Sequence, residues 1–183
     1  DGRFLVVQDE EQRALSLLRI TDGHVSHTAL SAPFWSWGDG DFWRLDDLEG
    51  ITADRAGNIY AITSHSRDSD GDERKPRERL VRFRIEGDKV VDPRVVGTLK
   101  RDLMAAHPVL AKSAGIRNVK IEGGLNIEAL EMSADQSRLL IGFRSPLLDE
   151  RAIIASIENP DAIFDANEGV RIGVTLTTLD LGG

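Results

Sequence analysis

The sequence predicts an all-β, β-propeller-like fold with antiparallel four-stranded blades. Short runs of apolar and β-branched residues recur along the chain, and clusters of Asp, Asn and Gly separate them. The pattern also repeats, because residues 2 to 8 align with residues 57 to 63 and with residues 137 to 143. Repeated units of four short antiparallel strands are typical of propeller blades.

The repeat divides the 183 residues into about three blades of a single propeller domain or a fragment of one. Residues 1 to 46 form an incomplete blade without its innermost strand, and residues 47 to 100 and 126 to 183 form two further blades. Residues 101 to 125 are a partly helical insertion. Because propellers typically have about four to eight blades, we expect the remainder of the ring to come from sequence not present here. An open β-sandwich with Greek-key connections is the alternative.

Turn residues set the expected strand limits. Asp22-Gly23 between two apolar runs predicts a tight hairpin. The predicted strands cover residues 4–8, 14–20, 25–30, 48–52, 59–63, 79–85, 89–100, 126–130, 138–143, 152–157 and 170–179.

The composition narrows the possible partners. The net charge of −8 argues against nucleic acid and anionic membranes, and fits a metal cation, a cationic ligand or solubility alone. A small-molecule ligand is the expected partner. The absence of cysteine excludes disulfides and thiolate chemistry, and is compatible with a cytoplasmic, periplasmic or secreted protein. No apolar run approaches the roughly 18 to 20 residues that a membrane span needs. Since the chain begins at Asp1, we expect a mature product or a fragment.

The densest group of polar residues lies in and after the stretch DLEGITADRAGNIYAITSHSR, residues 47 to 67. In a propeller, the loop that enters the innermost strand and the loop after the second strand open on the same face. This geometry predicts a polar funnel formed by Asp47, Glu49, Ser64, His65, Ser66, Arg67, Asn126, Glu128, Arg144, Ser145, Asp9 and Glu10.

Several roles are possible in this funnel. His65 is the candidate general base, with Glu49 and Arg67 as further catalytic candidates. The candidate ligand-binding residues are Ser64, Ser66, Glu128 and Arg144, and the candidate metal ligands are Glu49 and Glu128. Structural roles compete with these: carboxylate–arginine salt bridges, a histidine that caps a loop, and arginines that bind loop carbonyls.

Two other groups have a weaker functional pattern. Asp68, Asp70 and Asp72 have the alternate spacing of a calcium loop, but Glu73 and Arg79 stand where such a loop has Gly and Glu. A solvated charged loop is therefore the expected structure. Trp35, Trp37 and Trp43 could line a stacking surface, although packing of their own loop is the favoured use.

The segments DLEGIT, GNIYAITSHSR, RERLVRF, NIEAL and LLIGFRSP resemble an uncharacterised bacterial β-propeller family, a domain of unknown function, over residues 47 to 158. The same motifs are more distantly similar to the esterase-like phytase family. The second resemblance implies a calcium-assisted phosphoesterase. Ala129 stands in the later copy where Gly50 stands in the earlier one, and a complete metal-ligand set does not carry over.

Two functions follow as hypotheses. In the first, the chain is a propeller of unknown function that binds a small polar or anionic ligand at the funnel. In the second, it is a hydrolase of ester bonds in which Glu49 and Glu128 hold calcium, His65 transfers a proton and the arginines stabilise the oxyanion.

Overall fold

The computed structural model describes residues 2–7, 15–31, 39–158, 160–165 and 174–180. Within these ranges the protein is mostly β, with three antiparallel sheets. The prediction of a chain dominated by antiparallel sheets is therefore confirmed. Asp9, Glu10, Trp35 and Trp37 lie outside the described residues.

The first sheet has three strands in sequence order: β1 (Arg3–Val7), β2 (Leu15–Thr21) and β3 (His24–Ala29). The β2–β3 hairpin turns at Asp22 and Gly23, which both have positive φ, as the Asp-Gly pair predicts. The strand pairing aligns Leu5 with Leu17. The two paired side chains therefore point to the same face of the sheet, and this face, which contains Leu17, packs into the core.

The other two sheets each have four strands in sequence order. The second sheet consists of β4 (Leu48–Ala53), β5 (Ile59–Thr63), β6 (Leu80–Glu86) and β7 (Lys89–Val96). The third sheet consists of β8 (Asn126–Met132), β9 (Arg138–Ser145), β10 (Ala152–Glu158) and β11 (Val174–Leu179).

Helices connect the second sheet to the third. They are α1 (Leu99–Ala106), α2 (Pro108–Ala114) and α3 (Val119–Glu122). α2 and α3 lie within the predicted insertion at residues 101–125, but α1 begins before it. The predicted strand at residues 89–100 is too long, because β7 ends at Val96 and Leu99 already begins α1. Pro108 separates the first two because proline fits the first position of a helix and breaks its interior. A further helix, α4 (Pro160–Asp165), follows β10 and was not predicted. None of the helices in the described part of the chain is long and apolar enough to cross a membrane.

The second sheet is the middle layer of the molecule. Ala61, Val81 and Phe83 pack into a core shared with the first sheet. Tyr60, Ile62 and Leu80 point the other way, into a core shared with the third sheet and the helices. Because both faces of this sheet are covered, its strands are almost continuously apolar rather than alternating.

The first strands of the second and third sheets lie side by side. β4 contacts β8 along its length, although the two strands belong to different sheets. The two backbones approach closely at Gly50, where an added Cβ would lie 2.7 Å from the backbone nitrogen of Leu130. A residue without a side chain is therefore required at position 50, which explains the glycine in the EGI motif.

Candidate functional site

The segment after β5 forms a corner at which three parts of the chain meet. The amide of Ser64 donates to the carbonyl of Asp47 at 2.9 Å, and the amide of His65 donates to the carbonyl of Arg77 at 2.8 Å. The carbonyl of Ser64 accepts from the amide of Ile127 in β8, also at 2.9 Å. These bonds hold the corner against the entry to β4, the entry to β6 and the third sheet.

Side chains at this corner form a closed hydrogen-bonded group, which we call the Asp47–Arg77 cluster: Asp47, Ser64, Ser66 and Arg77. The two serine hydroxyls lie 2.8 Å apart, and that of Ser66 donates to Asp47 Oδ2 at 3.3 Å. Arg77 reaches the same carboxylate with Nη2 at 2.9 Å and the Ser66 hydroxyl with Nη1 at 3.2 Å. The predicted ligand-binding serines are therefore buried parts of a structural network.

The backbone at this corner is strained. Asp47 and His65 have φ values of 62° and 55°, in the left-handed region that residues other than glycine seldom occupy. Each such residue costs on the order of 1 kcal/mol and persists where its surroundings fix it. Here the backbone hydrogen bonds from Ser64 to Asp47 and from His65 to Arg77 fix both residues.

His65 is completely buried. Its Nδ1 lies 2.8 Å from the carbonyl oxygen of Thr63, so Nδ1 carries the proton and Nε2 is the lone-pair nitrogen. Nε2 has no hydrogen-bond partner among the described residues. Burial lowers the pKa of His65 from its usual 6.5 to about 4, assisted by Lys100 and Arg79 and opposed by the Thr63 bond. The imidazole is therefore neutral at pH 7 and has the proton state of a general base, but its role as a base stays a prediction.

Arg67 donates hydrogen bonds to backbone carbonyls, which is one of the structural roles predicted for it. Its Nε and Nη1 donate to the carbonyls of Ala114 and Gly71, each at 3.2 Å, and Nη2 pairs with Glu73 at 3.1 Å. Lys100 lies 3.3 Å from the same Glu73 carboxylate. Arg67 therefore ties the loop after the corner to α2.

Glu49 and Glu128 occupy equivalent places in the two sheets. In the pairing of β4 with β5, Leu48 and Gly50 lie opposite consecutive residues of β5, so Glu49 between them has no residue opposite it. In the pairing of β8 with β9, Ile127 and Ala129 lie opposite consecutive residues of β9, so Glu128 between them has no residue opposite it. Glu49 is thus the extra residue of a β-bulge, a feature that re-aims a side chain and occurs frequently beside functional sites. In the third sheet the register also shifts between Asn126 and Ile127, so Glu128 and Arg144 are passed over on opposite strands and the irregularity is local.

The environments of the two glutamates differ. Glu49 is half-buried and engaged by a partner, whereas Glu128 lies at the surface beside Arg144. Arg144 Nη1 lies 3.2 Å from Glu128 Oε1, and the two side chains are 67% and 39% exposed. Asn126 donates to the same Glu128 oxygen at 3.1 Å. Arg144 is therefore the most accessible of the predicted site residues.

The predicted metal site requires several ligand side chains to lie around one point. Among the described residues, no three His, Asp or Glu side chains form a group that could hold a metal ion. Calcium takes about 6 to 8 oxygen ligands, so Glu49 and Glu128 would need further ligands. In the aspartate-rich loop, the Asp68 carboxylate accepts the amides of Asp70 and Asp72. That loop is organised by its own hydrogen bonds.

A recess of about 580 Å³ lies at the opposite end of β5 and was missed by the sequence reasoning. The Tyr60 hydroxyl on its floor lies 3.1 Å from Asp54 and 3.4 Å from Asp161, and Arg82 pairs with Asp161 at 2.8 Å. Burial and the two carboxylates raise the pKa of Tyr60. Burial alone would raise the pKa of Asp54, but hydrogen bonds from Asn58 and Tyr60 hold it below its usual value. These carboxylates anchor Tyr60 and Arg82.

The comparisons with known proteins add no relative: no protein-family model matches the chain, and a search of curated proteins finds no match. The resemblance to the two propeller families therefore stays a prediction.

Proposed function

We propose that the three sheets are consecutive blades of a β-propeller. Each sheet is a meander in which neighbours in sequence are neighbours in space, and the second sheet packs between the other two. The side-by-side placement of β4 and β8 matches strands that line a central axis. On this arrangement, the ends that carry Glu49 and Glu128 face the same side.

The proposed function is binding of a small polar ligand with an anionic group at the surface defined by Glu49, Glu128 and Arg144. The carrying observation is that the strand pairing passes over a glutamate at the same position of the repeat in two neighbouring strands. Arg144 adds a largely exposed guanidinium, which suits phosphate or carboxylate oxygens. The glutamates would accept hydrogen bonds from hydroxyl or ammonium groups of the same ligand.

The Asp47–Arg77 cluster supports this surface without touching the ligand. Ser64 bonds through its carbonyl to Ile127, the residue that precedes Glu128. The strained corner therefore fixes the β8 backbone next to Glu128. Sites held by rigid supporting contacts bind with less loss of conformational freedom.

The test is isothermal titration calorimetry of the 183-residue chain with inorganic phosphate. Arg144→Gln should weaken phosphate binding by about tenfold to a hundredfold, because a charge-assisted hydrogen bond contributes about 1.5 to 3 kcal/mol. Glu128→Gln should leave phosphate binding unchanged or strengthen it, since Glu128 competes for Arg144. The matched control is Arg138→Gln, an exposed arginine at the other end of β9. Equal effects of the two arginine substitutions would contradict the proposal.

The hydrolase hypothesis predicts a different pattern in the same variants. Calcium binding should then be measurable and lost in both Glu49→Gln and Glu128→Gln, while Glu131→Gln, an exposed glutamate of β8, keeps it. Calcium-dependent release of nitrophenol from p-nitrophenyl phosphate should follow the same pattern. Calcium binding together with this hydrolysis would replace the binding function with the phosphoesterase.

A further inference from the structure

The recess beside Tyr60, of about 580 Å³, lies at the end of β5 away from the Asp47–Arg77 cluster. Its wall is formed by the β4–β5 turn, the β8–β9 turn, the end of β10 and the start of α4. The volume falls within the range of about 300 to 1,000 Å³ that is typical of small-molecule sites. The recess is separate from the Arg144 surface, because Arg144 lies near the last residue of β9, whereas Ser137 in the recess wall precedes the first.

The floor of the recess offers apolar surface. Tyr60 and Met132, which line it, are 1% and 5% exposed, and both belong to the core shared by the second and third sheets. The Tyr60 ring packs beside Phe164, with the ring centroids 5.9 Å apart. Ala56 and Pro160 add to the apolar lining. An apolar group of a ligand would therefore be removed from water on entering the recess.

Two of the three carboxylates that line the recess are already engaged by the protein. Asp54 accepts hydrogen bonds from the Asn58 amide at 2.8 Å, the Asn58 side chain at 2.7 Å and the Tyr60 hydroxyl at 3.1 Å. Asp161 pairs with Arg82 at 2.8 Å. These two carboxylates therefore position the floor, and a charged ligand must find its partners elsewhere on the wall.

The third carboxylate, that of Glu158, and the guanidinium of Arg55 have no ionic partner in the part of the chain that the structure describes. Glu158 is exposed at the end of β10 and forms no side-chain hydrogen bond there. Arg55 is also exposed; its Nη2 donates to the carbonyl of Ala134 at 2.9 Å, and its amide donates to Gln136 Oε1 at 2.8 Å. A guanidinium has five donors, so most of those of Arg55 are left for a ligand.

The two unpaired charges lie on different sides of the β8–β9 turn. The bonds to Ala134 and Gln136 hold Arg55 against this turn. Glu158 is on β10, opposite Arg138, the first residue of β9, and no ion pair joins these two described side chains. Neighbouring strands are about 4.8 Å apart, so one small molecule can reach both Arg55 and Glu158.

We propose that the recess binds a small zwitterion of the class of α-amino acids with an apolar side chain. The ligand carboxylate accepts hydrogen bonds from the Arg55 guanidinium, whose planar donors fit two carboxylate oxygens. The ligand ammonium donates to the Glu158 carboxylate, and the apolar side chain packs on Tyr60 and Met132. This site is independent of the phosphate-binding surface at Arg144 and goes beyond the function proposed for that surface.

The test is an NMR titration of the isotope-labelled 183-residue chain with L-leucine, followed through the backbone amide shifts. We expect saturable shifts at Ala56 and Ser137 in the recess wall and none at Ser145, beside Arg144. The amide spectrum of each variant also shows whether that variant is folded. Shifts at Ser145 with unchanged amides at Ala56 and Ser137 would overturn the proposal.

Variants and ligand analogues together assign the two charges. Arg55→Gln should weaken leucine binding by about tenfold to a hundredfold, because a charge-assisted hydrogen bond is lost. The same variant should leave the binding of leucinamide, which has no carboxylate, unchanged. Glu158→Gln should weaken leucine binding by a similar factor and leave the binding of N-acetyl-leucine, which has no ammonium, unchanged. The matched controls are Arg84→Gln and Glu131→Gln, which replace exposed residues outside the recess and should bind leucine as the wild type does.

The analogues and controls also define the contrary results. Leucinamide or N-acetyl-leucine that binds the wild type as tightly as leucine would show that the ligand is not held as a zwitterion. The absence of saturable shifts with leucine, or equal weakening by Arg55→Gln and Arg84→Gln, would overturn the site itself. Arg144→Gln should leave leucine binding unchanged, so failure of this proposal and failure of the phosphate proposal are distinguishable.

Discussion

The corners that follow β5 and β9 hold the same position in their sheets but have different surroundings. After β5, Ser64, His65 and Ser66 are buried and bonded to other parts of the chain. At the end of β9, Arg144 is 67% exposed and pairs with Glu128 on the neighbouring strand. The second sheet is covered on both faces, and the polar residues at its corner are therefore buried. The comparison shows that the layer, and not the repeat position, decides whether polar residues at this point are buried in the fold or exposed at the surface.

The largest expected effect is at the buried corner. Arg77→Ala should lower the free energy of unfolding by about 3 kcal/mol, because it leaves Asp47 and the Ser66 hydroxyl without their cationic partner. Urea denaturation at pH 7 measures this change. The control is Arg74→Ala, which removes a 59% exposed arginine paired with Asp68 at 3.5 Å and should cost less than about 0.5 kcal/mol. Equal costs would mean that the Asp47–Arg77 cluster does not hold the corner.

The second expected effect is a pH dependence that belongs to the same corner. The pKa of His65 is about 4 in the folded state and near 6.5 when unfolded, so below pH 6.5 the unfolded chain binds a proton that the folded chain does not. Stability is therefore full above pH 6.5 and falls with decreasing pH, by about 2 kcal/mol between pH 7.5 and pH 5.

The variant His65→Asn isolates this contribution, since asparagine tolerates the left-handed backbone and does not titrate. Urea denaturation at pH 7.5 and at pH 5 should show a smaller loss of stability in His65→Asn than in the wild type. His27→Gln, which replaces an exposed histidine of β3, should retain the wild-type loss. A loss that is unchanged in His65→Asn would show that the buried imidazole does not resist protonation.

Local sequence patterns were sufficient for most of the strands. The apolar, β-branched run at residues 59–63 became β5 without any shift, and the Asp22-Gly23 turn formed as its backbone preferences require. α4 was missed because six residues are too few for a helical period, and only Pro160 at its start gave a signal.

The candidate site was harder to predict because its geometry depends on distant contacts. The repeat placed Glu49 and Glu128 in equivalent strands, but an irregularity of strand register is a property of the two paired strands and cannot be seen in one strand alone. Arg77 was not recognised, since its partner Asp47 is remote in sequence and the intervening loop gives no pairing signal. The Tyr60 contact to Asp161, 101 residues away, was invisible for the same reason.

The smallest expected effect on stability is at the exposed corner. Arg144→Gln should change the free energy of unfolding by less than about 0.5 kcal/mol, because a solvent-exposed ion pair contributes little to folding. The same urea experiment, run beside Arg77→Ala, compares the two corners directly. A destabilisation as large as that of Arg77→Ala would mean that Arg144 is needed to hold β8 against β9. A small change in stability together with weaker phosphate binding would instead separate the two roles, with the corner after β5 supporting the fold and the corner after β9 meeting the ligand.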